Sequence, residues 1–175
     1  EAVNGTSDAT AAEMPAAAPA ARLVAAAESA GSAFTADDAA FLRRAANSDA
    51  RAWNSEFGTA KDVSALTAER NVFRYVPVPV TVRLAEGQPA ALLVRVLAAA
   101  LTAGSAVTVS TAVDLPAGLR AVLTELGLDF RVQDDAAWLA SAAALLVCYG
   151  DVLLPMLGVE LPVTETVAYF GFYGL

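Results

Sequence analysis

Histidine is missing from all 175 residues, and there is a single cysteine, Cys148. Histidine is the commonest general base and the commonest metal ligand, so its absence sets histidine-dependent hydrolases aside. One thiol without an imidazole cannot build a zinc site of ordinary spacing. Nor can it close a disulfide within the chain, which fits a reducing cytoplasm. Basic residues are scarce too: 11 against 19 acidic ones, 11 − 19 = −8, with an isoelectric point near 4.4. With no basic patch to displace counterions from phosphates, the balance speaks against nucleic acid and against an anionic membrane surface. The opening stretch Glu1 to Ala27 lacks a basic segment followed by an apolar core, so it is not a targeting peptide, and Asn4-Gly-Thr6 is a glycosylation pattern without a secretory context. The apolar run Ala136 to Val159 is broken by Asp151 and Pro155 and reads as a buried helix plus a strand rather than a membrane span.

What is present is apolar: 57% of the chain, enough to bury one good core with a tail. Residues 1–34 read as a flexible alanine-rich linker or weakly helical arm, interrupted by Met14-Pro15 and Pro19. The chain opens on Glu1 rather than methionine, which suggests a piece of something longer. Residues 35–71 read as a helical connector. Thr35 caps a helix running to about Phe57, with Asp37 and Asp38 in its positive first turn and Gly58 at its end. Its apolar stripe is Phe41, Leu42, Ala45, Ala52, Trp53 and Phe57.

From Val72 the pattern changes. Val78 to Leu84 alternates at period two and predicts a strand, with Pro77 and Pro79 placing its start at a sheet edge. A helix follows from about Pro89 to Ala103, closed by Gly104, and then a strand from Ala106 to Ser110. The next helix is expected to be capped by Asp114 and ended by Gly127. "LDFRV" predicts a third strand, and a third helix starts at Asp134 or Asp135; Leu145 to Tyr149 would be a fourth strand. Such alternation implies an α/β fold, a Rossmann-like half with a mostly parallel sheet and flanking helices over 72–149, preceded by the α-helical connector. Residues 150–175 form an apolar tail. Leu119, Trp138 and Leu139 are expected in the core.

A nucleotide site on such a sheet needs glycines in the first strand-to-helix turn. Here that turn is "AEGQP", with one glycine and with Glu86 to repel a phosphate. The second turn, Ser110-Thr111-Ala112, has hydroxyls, but Asp114 stands beside them. Cys148 lies between bulky apolar neighbours with no base, and reads as an inert thiol. Neither Asp134-Asp135 nor Glu160 with Glu165 has the spacing of an acid/base pair. No catalytic, cofactor-binding or metal residue is therefore assigned.

The stretch around Glu69-Arg70-Asn71-Val72-Phe73-Arg74-Tyr75-Val76-Pro77, with the helix before it, resembles the C-terminal region of the bifunctional proline utilization A family of actinobacterial type, over roughly residues 33 to 143. Those enzymes oxidise proline to glutamate with a flavin proline dehydrogenase and an NAD-dependent glutamate-semialdehyde dehydrogenase. The longer ones carry an extra aldehyde-dehydrogenase-like domain without catalysis of its own. The resemblance implies an accessory domain that helps cover the substrate-channelling tunnel or an inter-domain interface. FAD and NAD would then belong to the parent enzyme and not to this chain. Arg70, Asn71 and Arg74 would tie the connector to the sheet or to the neighbouring dehydrogenase, and Phe73 and Tyr75 would anchor in apolar surface. The partners implied are the catalytic domains or a second copy. The catalytic domains themselves are absent, and beyond about Leu145 the likeness fades. The alternative reading is a stand-alone nucleotide-binding or dehydrogenase-like protein with an unrecognised site.

Overall fold

The computed structural model describes residues 17–142. Alternating valines build its centre. In β3 (Val80–Leu84), Val82 and Leu84 are buried while Thr81 and Arg83 turn to the other face. In β4 (Val107–Thr111), Val107, Val109 and Thr111 repeat the inward set. With β5 (Asp129–Val132) they form a parallel sheet in the order β3-β4-β5, paired from Val80↔Val107 to Leu84↔Thr111 and from Thr108↔Asp129 to Thr111↔Val132. As Pro77 and Pro79 require, β3 is an edge strand among the described residues.

Helices α3 (Ala90–Thr102) and α4 (Ala117–Glu125) cross over between the strands. Each begins behind a proline at the cap position, Pro89 and Pro116, which needs no donor there. Each ends in the same left-handed turn. Gly104 and Gly127 have φ of +73° and +71°, and the amides of Ser105 and Leu128 reach back to the carbonyls of Ala100 and Leu123 at 3.0 Å. Asp114 does not cap α4. It accepts from the Leu115 amide at 3.0 Å and pairs with Arg120 at 3.1 Å, because Leu115 is buried and Pro116 starts the helix two residues later than expected.

The N-terminal stretch corrects the linker expectation. Residues Ala18–Glu28 form helix α1, with Pro19 tolerated in its first turn. Ala20, Leu23, Val24 and Ala27 are buried, at i, i+3, i+4 and i+7. This face packs on α3, α4 and α2, where α2 is Ala36–Ala52. Small alanine side chains let the helices approach closely, so a segment of low hydrophobicity still seats in the core. Arg22 pairs with Glu125 of α4, and Arg43 of α2 with Glu28 at 3.0 Å. The connector helix is likewise a core element. Thr35 caps α2 in a reciprocal box with Asp38, the Asp38 amide donating to Thr35 Oγ1 at 3.1 Å and the Thr35 amide to Asp38 Oδ2 at 2.9 Å. Its buried stripe is Leu42, Ala46 and Ala50, while Phe41 is exposed. Arg95 of α3 grips Asp49 of α2 through two hydrogen bonds of 2.6 and 2.9 Å.

Beyond α2 the chain widens into one π-helical turn, Trp53–Phe57, rather than continuing as α-helix to Phe57. A short antiparallel ribbon follows, β1 (Lys61–Asp62) with β2 (Val72–Phe73), in the register Lys61↔Phe73 and Asp62↔Val72. Residues 135–142 are helical (α5), and Asp134 caps them, accepting from the Ala137 amide at 2.6 Å. Leu119 is in the core as expected, but Trp138 is half-buried and Leu139 is 59% exposed. The reason is that Trp138 stands over Arg83, on the polar face of the sheet, rather than against apolar side chains. The fold is thus α/β: N-terminal helices, then a three-stranded parallel sheet with flanking helices. Asn4-Gly-Thr6, the expected fourth strand, Cys148 and the apolar tail 150–175 lie outside the described residues.

Candidate functional site

Open parallel sheets take ligands outside the carboxyl ends of their strands. At that end, the turn Ala85-Glu86-Gly87-Gln88 leads from β3 to α3, with the Gln88 amide donating to Ala85 O at 3.3 Å. In a dinucleotide site its amides would face a pyrophosphate. Here the Glu86 amide donates to Asp135 Oδ2 at 3.3 Å. Asp135 Oδ1 also accepts from Arg83 Nη2 at 2.5 Å, and Arg83 Nη1 donates to Ser110 Oγ at 2.8 Å. The Ser110 hydroxyl in turn donates to Gln133 Oε1 at 3.0 Å, and the Arg83 guanidinium lies 5.6 Å from the centre of the Trp138 ring. Arg83 is the pivot: its side chain is only 11% exposed. Its Nε–H and the Thr111 hydroxyl are buried without a hydrogen-bond partner among the described residues.

This network has little chemistry to offer. The hydrogen bond from Arg83, helped by the Glu86 amide, holds the Asp135 carboxyl below its ordinary range, so it stays an anion and a poor base. Ser110 is bonded to an amide oxygen, which cannot take its proton. Asp134 and Asp135 act as a cap and a salt-bridge partner, not as an acid/base pair. A cleft of about 380 Å³ opens at the opposite end, between the amino ends of the strands, lined by Val80, Leu101, Val107 and Leu128. Among the described residues no cluster of three acidic or thiol groups could hold a metal ion, and no helix is long and apolar enough to cross a membrane.

The other candidate region is the arm that leaves α2. The Gly58 amide donates to Trp53 O at 2.6 Å, closing the π turn, and a Cβ at Gly58 would sit 2.7 Å from that same carbonyl oxygen. Only glycine fits there. The turn sets Phe57 edge-on to Tyr75, with ring centres 5.1 Å apart, and Tyr75 edge-on to Phe73 at the same distance. In the loop between β1 and β2, the Ala65 amide holds the Asp62 carboxyl below its ordinary value, donating to Oδ1 at 3.1 Å while Ala65 itself takes φ of +46°. Asn71 Nδ2 donates to Ser64 Oγ and to Glu69 Oε1, each at 3.1 Å.

The structure therefore gathers Phe73 and Tyr75 and adds Phe57, which sequence periodicity places at the end of a helix stripe. Asn71 ties the arm to itself. Arg70 and Arg74 have no hydrogen-bond or ion-pair partner among the described residues. Fourteen large apolar side chains are exposed among the described residues, and eight of them lie between Phe57 and Val78. So dense a set lies on one short segment, not spread over the surface. Ser110 and Asp135 stand out in the sequence as a turn hydroxyl and a helix cap, but their union through Arg83 and Gln133 has no local signal beyond an arginine on the polar side of a strand. Compared with protein-family models, curated proteins and solved structures, the chain matches none.

Proposed function

We propose that this chain is a non-catalytic accessory domain of a bifunctional, cytoplasmic proline-catabolic oxidoreductase, with its arm seated on an inter-domain interface or over the channel that passes the intermediate. The observation that carries this reading is the exposed trio Phe57, Phe73 and Tyr75, rigid in its own edge-to-face packing and half open to water. The carboxyl end of the sheet adds support. The amide that would meet a phosphate is engaged by a carboxylate of the chain itself, and Glu86 and Asp134 add negative charge beside it. FAD and NAD belong to the parent enzyme on this reading, and this chain supplies shape.

Two measurements test it. Titration calorimetry with NAD and ADP is expected to give no heat of specific binding, whereas a working dinucleotide site binds at micromolar strength or better. A proline dehydrogenase/glutamate-semialdehyde dehydrogenase module without its own C-terminal domain is expected to capture the chain, and Phe73→Ala with Tyr75→Ala to weaken capture at least about tenfold. Micromolar NAD binding, or aldehyde oxidation lost on Cys148→Ser, would instead establish the dehydrogenase alternative.

A further inference from the structure

Strand β3 has one bare edge. The Val80 amide donates to Ala106 O and the Ala112 amide to Leu84 O, both at 2.9 Å, so Val80, Val82 and Leu84 turn their main chain toward β4. By alternation, the N–H and C=O groups of Thr81 and Arg83 point the other way. Among the described residues no strand pairs with them there. Pro79 stands ahead of the strand, so both donors remain.

The two faces of the sheet differ as well. Helices α3 and α4 share one core with α1, on the face of Val82, Val109 and Phe130. The chain leaves β5 on the opposite face. Gln133 meets Ser110 of β4, and then Asp135 and Trp138 meet Arg83 of β3. With these contacts it has crossed the sheet from one edge strand to the other. Crossovers between parallel strands keep one hand. With its helices on the core face, the chain steps from β3 to β4 to β5. A helix on the other face keeps that hand only by stepping back, and the first vacant place in that direction is the bare edge of β3.

We propose that Leu145 to Tyr149 fills this edge as a fourth parallel strand. The segment has five residues, as β3 has, holds no charge and is closed by Gly150. That composition suits a parallel strand covered on both faces. Only Ala143 and Ala144 separate it from Ala142, a reach of at most about 11 Å. A place beyond β5 lies across the whole sheet from Arg83 and takes a crossover of the opposite hand. The helices then part to opposite faces between β3 and the new strand, the crevice where open parallel sheets take ligands. There the Glu86 amide is already held by Asp135. The proposal is independent of the proline-catabolic parent.

Nuclear magnetic resonance on the full chain is the test. Amide exchange at Thr81 and Arg83 is expected to be slowed to within about tenfold of that at Val82. Cross-strand Overhauser contacts should join these two residues to 145–149 and persist on dilution. Val147→Pro, which cannot sit within a ladder, should speed exchange at Thr81 and Arg83 at least about tenfold, while Val109 on the interior strand stays protected. If that variant does not fold, the wild-type contacts decide alone. Exchange at Thr81 and Arg83 as fast as in the exposed loop at Val63 would overturn the proposal. So would contacts of 145–149 with Asp129 to Val132 instead, contacts seen only between differently labelled copies, or protection that Val147→Pro leaves unchanged.

Discussion

The helical-and-sheet body and the arm spend the same kinds of residue in opposite ways. In the body, leucines and valines disappear: Leu23, Leu93, Leu97, Val94, Val109, Leu119 and Leu123 lie within one continuous core. In the arm, valines and aromatics remain in water, with Val63 79% and Val76 65% exposed. The difference lies in geometry. The body stacks helices on a sheet, so most of its apolar side chains find a layer to cover them, whereas a two-stranded ribbon has no layer to cover it and is marginal alone. The arm keeps its shape through an aromatic trio, an asparagine clasp and a π turn instead of a core. What stabilises the body is burial, and what the arm offers is a surface.

The sharpest way to break this contrast is inside the body. Leu23→Ala should cost about 2–5 kcal/mol, the usual range for a buried leucine with little room to relax, because α1 is a core helix. Chemical denaturation checks it, and a loss below about 1 kcal/mol would return α1 to the status of a linker. Gly58→Ala comes next. The new methyl meets a backbone carbonyl, so the π turn must open, at a cost of roughly 1–3 kcal/mol. Trp53 fluorescence should report the loosened turn, and an unchanged spectrum with unchanged stability would refute the close approach.

A smaller effect is expected where the sheet meets α5. The folded Asp135 carboxyl titrates below its unfolded value, so its contribution is present above pH about 4 and fades as acid protonates it. Asp135→Asn should therefore lower the denaturation midpoint at neutral pH, and the gap from wild type should narrow below about pH 4. A gap that is constant with pH would show that the charge plays no part. Smallest of all, Ala65→Gly in the arm should gain about 0.5–1 kcal/mol by relieving a positive φ. Since the arm lies outside the core, that gain should appear as slower amide exchange in the loop more than as a raised midpoint.

Much of the body was legible because its signals are local. Period-two valines mark β3 and β4, and Gly104 and Gly127 stop α3 and α4 where expected. Thr35 and Asp38 announce α2 three residues apart. Helix α1 was not legible, since two large apolar residues among alanines carry little contrast and Pro19 looks like a breaker. The Arg83–Asp135 bridge spans 52 residues of sequence and leaves no local trace. Trp138 was misplaced for the same reason, because which face α5 lies on is decided by strand order. In the arm, Phe73 and Tyr75 stood out from composition. Their union with Phe57 depends on a π turn that no periodicity announces.

Helix α1 has a consequence for the order in which the molecule is assembled. During synthesis it emerges before α3 and α4, two of the helices it must lie against, and Arg22 waits for Glu125 across 103 positions. The seat of the helix is therefore complete only when the chain is made past α4, and until then part of its apolar side is in water. Leucine or phenylalanine at Ala20 and Ala27 would make that waiting helix a target for chaperones or for neighbouring chains on the same message. Alanine makes it a quiet one: helical enough to be ready, and too weakly apolar to stick before its seat is built.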